Sequence, residues 1–476
     1  MRYFFLAIAL AMSGQSAMAE ARPNIILMMA DDLGWGDVGF NGGAIIQTPH
    51  LDAMAEAGLK FDRFYAAAPV CSPTRGSCLT GRHPYRYGIH FANDGHLREG
   101  EWTLAELLKE QGYRTGHFGK WHLGTLSPDY SGKKERNPAK DYATPAMNGF
   151  DEWFSTEFAV ATWDPYDPAN SHLGKNVAPD TRALYWHNGE NVTEALEGDD
   201  SRIILDKAIP FIEGAVAAAQ PFFTVIWFHT PHAPVVGGPE YRASYAQYGE
   251  DAQHYYAAVT AMDEQVGRLR AALRELNVAE NTLLFFCSDN GPEGDEAGGR
   301  TMGSAGPFKG RKRSLFEGGI RVPALLEWPA GVKPGTVTDY PAVTSDYLPT
   351  VLDLLGVVMP DARPLDGLSL MPLLRGAHAE RTAPIFFETR GGAGTSLSRQ
   401  SPRMAMIDGP YKLLTDLSDS GEEDLLHDLL ADAGETANLA VAEPERVAAM
   451  KEALRVWRAS CTASAAGTDY GASLQE

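Results

Sequence analysis

The chain has 476 residues, 44% of them apolar and 22% charged, with a formal net charge of −21. That composition is globular and leaves room for a large core, while the acidity excludes the basic footprint needed to bind nucleic acid or an anionic membrane. With 4 cysteines, at positions 71, 78, 287 and 461, it is no disulfide-stapled scaffold.

Met1 to Ala19 carries Arg2, the apolar stretch Tyr3 to Met12 and the triplet Ala17-Met18-Ala19, a small-x-small cleavage pattern. This predicts an export leader, residues 1–19, and a mature chain starting at Glu20. The apolar run is shorter than the ~20 residues that cross a bilayer, and no later stretch approaches that length. No cysteine follows it to carry a lipid. The expected address is periplasmic or secreted, without a membrane partner; an uncleaved anchor is the alternative.

Beyond the leader, strand-like apolar runs alternate with helical patterns. Asn24 to Ala30 precedes helical Leu51 to Gly58, and Thr103 to Gln111 precedes Arg114 to Phe118. Ile203 to Ala219 precedes Phe222 to Phe228, and Tyr255 to Leu276 precedes Thr282 to Ser288. Runs buried on both faces between helices predict an α/β fold, a large mainly parallel sheet sandwiched by helices. Ser127 to Asp200, rich in Pro, Gly, Asn and Trp, reads as too irregular for a core element and is expected to cover the site. Its Trp163, Asp164, Tyr166 and His172 would either wall a sugar or pack the loop. From Pro384 the pattern changes: Pro384 to Glu388, then Met404 to Asp408 and Tyr411 to Leu414 around Asp408-Gly409, read as strands with a hairpin, and Pro444 to Ser460 as a helix. The expected division is a catalytic α/β unit, 20–380, and a smaller C-terminal antiparallel sheet plus helix, 381–476.

In such a sheet chemistry gathers at the carboxyl ends of the strands. Asp31-Asp32 and Asp289-Asn290 directly follow two predicted strands. Four oxygen-donor side chains suit a hard divalent cation, calcium first, with magnesium or manganese left open. Both stretches also have the composition of turns. The acidic chain could still bind an anion if Lys309 to Arg313 or Arg114 to Lys120 concentrated positive charge in a cleft. Cys71 could be a buried thiol or half of a disulfide with Cys78, and Cys287 reads as a small core residue. Asn191-Val192-Thr193 is a glycosylation sequon.

Cys71-Ser72-Pro73-Thr74-Arg75, continued by Leu79-Thr80-Gly81-Arg82, together with the two acidic pairs and Gly119-Lys120-Trp121-His122-Leu123-Gly124, resembles the type I sulfatases of the alkaline-phosphatase-like superfamily. The likeness runs from Pro23 to Pro323 and returns weakly at Leu425 to Leu429. Cys78, where many relatives have leucine, and Leu426-His427-Asp428, where a tyrosine usually precedes the aspartate, depart from the pattern. The resemblance implies that a formylglycine-generating enzyme oxidises Cys71 to formylglycine, whose hydrate carries two hydroxyls. One attacks sulfur and the other drives off sulfate intramolecularly. It further implies that Asp31, Asp32, Asp289 and Asn290, with the modified Cys71, hold one Ca2+. Lys120 would meet sulfate oxygens and His122 the nucleophile's hydroxyl. His232, with His229 as second choice, would protonate the leaving oxygen, a task suited to imidazole. Lys312, five residues before Glu317-Gly318-Gly319, would touch sulfate and leaving oxygen. Arg75 would pair with the modified residue and a metal-bound carboxylate. Lys309, Arg311 and Arg313 are expected on a solvated face. The implied activity is hydrolysis of sulfate esters, with sulfated carbohydrates as expected substrates. The rival readings are a phosphonate monoester hydrolase or phosphodiesterase, and a glycan-binding relative without turnover.

Overall fold

The computed structural model describes residues 22–132, 136–167, 169–170, 184–194, 196–294, 296–377, 380–390, 401–418 and 424–470. The predicted leader and His172 lie outside them. The strands in chain order are β1 (Asn24–Ala30), β2 (Leu59–Phe61), β3 (Phe64–Tyr65), β4 (Arg114–Lys120), β5 (Glu152–Thr156), β6 (Tyr185–His187), β7 (Glu190–Asn191), β8 (Phe222–Trp227), β9 (Thr282–Ser288), β10 (Ala324–Glu327), β11 (Thr336–Thr338) and β12 (Ala342–Val343). Four more follow: β13 (Ile385–Glu388), β14 (Met404–Asp408), β15 (Tyr411–Thr415) and β16 (Leu425–Asp428).

Ten strands form one sheet in the order β11-β2-β10-β9-β1-β8-β4-β5-β6-β7. Its middle, β9-β1-β8-β4-β5, is parallel throughout, and antiparallel partners begin at β10 on one side and β6 on the other. Alternate residues of β1 enter opposite cores, as the strand pleat requires. Ile25, Leu27 and Met29 join a layer with Cys78, Leu104 and Leu348. Ile26, Met28 and Ala30 join another with Leu51, Ile204 and Met262. The sheet is therefore covered on both faces, by helices Cys71–Thr80, Leu104–Glu110 and Tyr347–Leu355 on one and Pro49–Ala57, Asp200–Ala217 and Glu250–Glu275 on the other. Each such Leu, Ile or Met side chain contributes about 1.5–3 kcal/mol through burial.

The segment read as an irregular cover holds β5, β6 and β7, so the expectation that it lacks a core element is corrected. Its core strand is five residues long, Glu152–Thr156, and carries no extended periodic pattern. The remaining sheet, β13-β14-β15-β16, is antiparallel. Asp408 pairs with Tyr411 across a turn whose Gly409 has φ 57°, a conformation only glycine adopts freely. One face of this sheet meets Tyr65, Phe316 and Ile320 of the larger unit. The other receives Val447, Leu454 and Trp457 of the helix Pro444–Ala465.

Candidate active site

Cys71 is the first residue of a ten-residue helix, Cys71–Thr80, every residue of which is buried. Pro73 falls in the first turn, where its missing N–H costs nothing. The helix stops at Gly81, which takes the left-handed conformation at φ 68°. Four-residue spacing places Cys71 and Arg75 on one face. Arg75 has no exposed surface; it donates to Asp289 Oδ2 at 2.7 Å and to the Lys120 carbonyl at 3.3 Å, and lies 3.6 Å from Asp31. Burial pushes the Cys71 thiol up to about 12, so the unmodified side chain is a poor nucleophile at neutral pH.

The acidic residues converge from two neighbouring strand ends. Asp32, at φ 68°, donates its backbone N–H to Asp289 Oδ1 at 3.1 Å and accepts from Asn290 Nδ2 at 2.7 Å. Lys120, the last residue of β4, reaches Asp31 Oδ2 at 2.6 Å, and Lys312 reaches Asp32 Oδ1 at 2.6 Å. Burial alone would raise Asp31, but Lys120, His232, Arg75 and Lys312 hold it well below the usual carboxylate range. Burial and the neighbouring Asp31 charge push Asp289 upward against Arg75. Burial opposes the charge of Lys312 too, yet Asp32 and its other anionic neighbours keep that ammonium well above its ordinary range.

Ligand atoms of Asp31, Asp32, Cys71 and His232 lie within 4.8 Å of one another. Asp289 and Asn290 adjoin this group through their contacts with Asp32. Asp31 Oδ1 and Asn290 Oδ1 are buried without a hydrogen-bond partner. Unpartnered buried oxygens beside crowded carboxylates fit a hard dication.

The histidines separate by surroundings. His232 donates from Nδ1 to the Ala233 carbonyl at 2.6 Å, which leaves Nε2 3.8 Å from Asp32 Oδ2. Burial lowers it to about 4, so its resting imidazole is neutral. His122, at φ 59°, meets Asn93 Oδ1 through Nε2 at 2.7 Å, and its Nδ1 is buried without a partner. Burial holds it well below its ordinary range. His229 is fully buried between Asp200 at 2.6 Å and Thr156 at 2.7 Å, the setting of a structural histidine.

Residues 23–357 match the Sulfatase family and residues 305–459 match N-sulphoglucosamine sulphohydrolase, C-terminal. The chain belongs to the sulfatase family. It is 35% identical over 385 residues to the N-acetylgalactosamine-6-sulfatase of Canis lupus familiaris, covering 78% of this chain and 69% of that one. Among solved structures it is similar to Ps i-CgsB in complex with k-i-k-neocarrahexaose, at 28% identity and a TM-score of 0.76, covering 92% and 93% of the two chains. The phosphonate monoester hydrolase of Agrobacterium radiobacter shares the fold at 20% identity and a TM-score of 0.63, over 92% and 96%.

This sulfatase, a hydrolase of sulfate esters, has a cavity of about 240 Å³ over Cys71, lined also by Lys120, His122, His232, Lys312 and Arg313. It is also lined by Phe91, Ala92 and Asn93, which sequence reasoning missed, and by Phe158 and Ala159 of the segment expected to cover the site. These residues reach the site from loops distant in sequence, and no local pattern marks them. The solvated-face expectation holds for Lys309, which is exposed, and is corrected for Arg311 and Arg313. Arg311 donates to the Glu293 carbonyl at 2.8 Å, Arg313 forks onto the Glu293 carboxylate at 2.6 and 3.0 Å, and Lys309 covers the Phe316 ring at 4.0 Å. Of Arg114 to Lys120 only Lys120 enters the site; Arg114 pairs with Glu152 at the opposite strand end. Trp163 packs against Tyr241, Asp164 accepts from the Gly198 N–H, and Tyr166 donates to the Val192 carbonyl, so the three are loop-packing groups. All 4 cysteines are free and buried, which removes the Cys71–Cys78 disulfide. No helix among the described residues is long and apolar enough to cross a membrane.

Proposed function

We propose that this chain removes sulfate from sulfated carbohydrates outside the cytoplasm, using Cys71 in its formylglycine form and one calcium ion held by Asp31, Asp32, Asp289, Asn290 and the modified residue. The observation that carries the reading is the meeting of Cys71, Lys120, His122, His232 and Lys312 in one cavity beside the buried acidic group. When present, the hydrated aldehyde supplies the attacking oxygen, and the cation polarises the ester and balances its charge.

The remaining work falls to ordinary side chains. Lys120 and Lys312, anchored by Asp31 and Asp32, present N–H donors to the sulfate oxygens, where charge-assisted hydrogen bonds are strongest. His122 uses Nε2 on Asn93, so Nδ1 is the atom left to accept a proton from the nucleophile. His232 holds its Nδ1 proton on the Ala233 carbonyl, and Nε2 carries the proton for the leaving oxygen once an anionic ester raises its affinity. Arg75 keeps Asp289 in place. Residues 20–380 would form the catalytic unit and 381–476 the smaller one, with 1–19 as the removed leader. A formylglycine-generating enzyme would act during maturation. Carbohydrate esters are favoured by the relatives, one named for N-acetylgalactosamine 6-sulfate and another bound to a neocarrahexaose.

Sulfate release from a panel of defined sulfated oligosaccharides tests this, beside an aryl phosphonate. The expected result is desulfation of at least one glycan, faster than phosphonate hydrolysis, abolished by Cys71→Ala and by a chelator, and restored by calcium. The active protein's Cys71 peptide should be about 18 Da lighter than its thiol form. Faster phosphonate turnover, or full activity with only thiol at Cys71, refutes the reading; glycan binding without release supports the turnover-deficient alternative.

A further inference from the structure

We infer that Arg313 reads the alcohol side of the substrate and gives this sulfatase a preference for esters bearing a second anionic group, a sulfate or carboxylate, near the one cleaved. The inference rests on the reading that the scissile sulfate lies at Cys71. Cations of the cavity are graded by depth: side-chain exposure is 0% for Lys120, 3% for Lys312 and 25% for Arg313. Cys71 itself is 1% exposed. An ester that enters with its sulfate towards Cys71 leaves its alcohol portion beside the shallowest of these cations, Arg313.

The local backbone is built to keep Arg313 there. Its φ is 76°, a left-handed conformation that a non-glycine residue holds only when its surroundings enforce it. The Arg313 N–H donates to the Pro69 carbonyl at 2.8 Å, which ties it to the segment entering Cys71. Glu293 accepts two bonds from the guanidinium and lies 3.1 Å from Lys312, so one carboxylate aligns both cations. That fork uses two of five N–H donors and leaves the others to meet a ligand. The neighbouring Arg311 and Lys309 are taken up by backbone carbonyls and the Phe316 ring. Among the described residues lining the cavity none is acidic, and the facing wall of Phe91, Ala92, Phe158 and Ala159 carries no charge. Among the described residues, charge recognition at the mouth therefore falls to Arg313.

The test compares kcat/KM for N-acetylgalactosamine 4,6-disulfate and 6-sulfate, or the matching pair on whichever ring the oligosaccharide panel selects. Wild type should favour the doubly charged ester. Arg313→Gln should lower that ratio about tenfold, the worth of one charge-assisted contact, and Arg313→Lys should restore part of it while the melting temperature confirms folding. Equal losses on both esters overturn the inference, as does inorganic sulfate losing affinity by the same factor, which would place Arg313 on the cleaved group. Failure of wild type to release sulfate from any ester removes the underlying reading instead, and the inference with it.

Discussion

Arg75 meets Asp289 at 2.7 Å and Asp31 at 3.6 Å, and lies over the Trp227 ring at 5.2 Å, from a side chain without exposed surface. Three buried carboxylates depend on such cations when no metal is bound. Arg75→Met should cost about 3–5 kcal/mol of stability, because it strips a buried carboxylate of its partner, and denaturant unfolding of the calcium-free protein checks this. Loss of less than ~1 kcal/mol, the worth of an exposed pair, would show the pairing to be incidental. The spacing of Cys71 and Arg75, and the acidic pairs after two strands, were legible because they are local. Glu293 was not: its role depends on three basic residues that reach it from a separate loop.

At the scale of elements, the helix carrying Cys71 is joined to the C-terminal helix through the turn that follows it. His83, just beyond Arg82, stacks edge-on against Trp457, and Arg86 forks onto Asp366, which also accepts from the Trp457 indole. Burial lowers His83 from its ordinary 6.5 to about 3, only partly offset by Asp366. The folded state thus keeps this imidazole neutral while the unfolded chain protonates it near 6.5. The stabilising contribution is complete above that pH and is lost as pH falls towards about 3, on the order of a few kcal/mol in total. In His83→Phe the fall in stability across this window should be shallower than in wild type, measured by denaturant unfolding at successive pH values. Parallel curves would remove His83 from the account. The strands β1, β9 and β14 have the bounds their apolar runs predict. The strand β5 escaped notice because burial in the sheet, not a repeating pattern, makes Glu152–Thr156 a strand.

Across the whole molecule, Lys412 is a fully buried ionic link between the C-terminal sheet and the larger unit. From β15 it lies 2.9 Å from Glu317 of the larger unit and 2.9 Å from Glu435, all three side chains without exposed surface. Glu317 opens the short helix Glu317–Ile320, and the Gly319 carbonyl there accepts from Gly291, beside Asn290. Lys412→Met should lower stability by about 3–5 kcal/mol. The loss should be greater near pH ~8 than near pH ~6, since protonation relieves the two carboxylates left facing one another, and melting curves at both values test it. A pH-independent loss would mean that packing, and not charge, makes the junction. Alternation of strands and helices disclosed the parallel sheet, while its antiparallel flanks and the placing of the C-terminal sheet rest on contacts between remote segments. The borders of the large sheet have a further consequence. They are β7, two residues long, and β11, three residues long, so a neighbouring chain finds too few unsatisfied backbone groups to add a strand. Crowded solutions of this protein should resist fibril growth by lateral strand addition at these two borders.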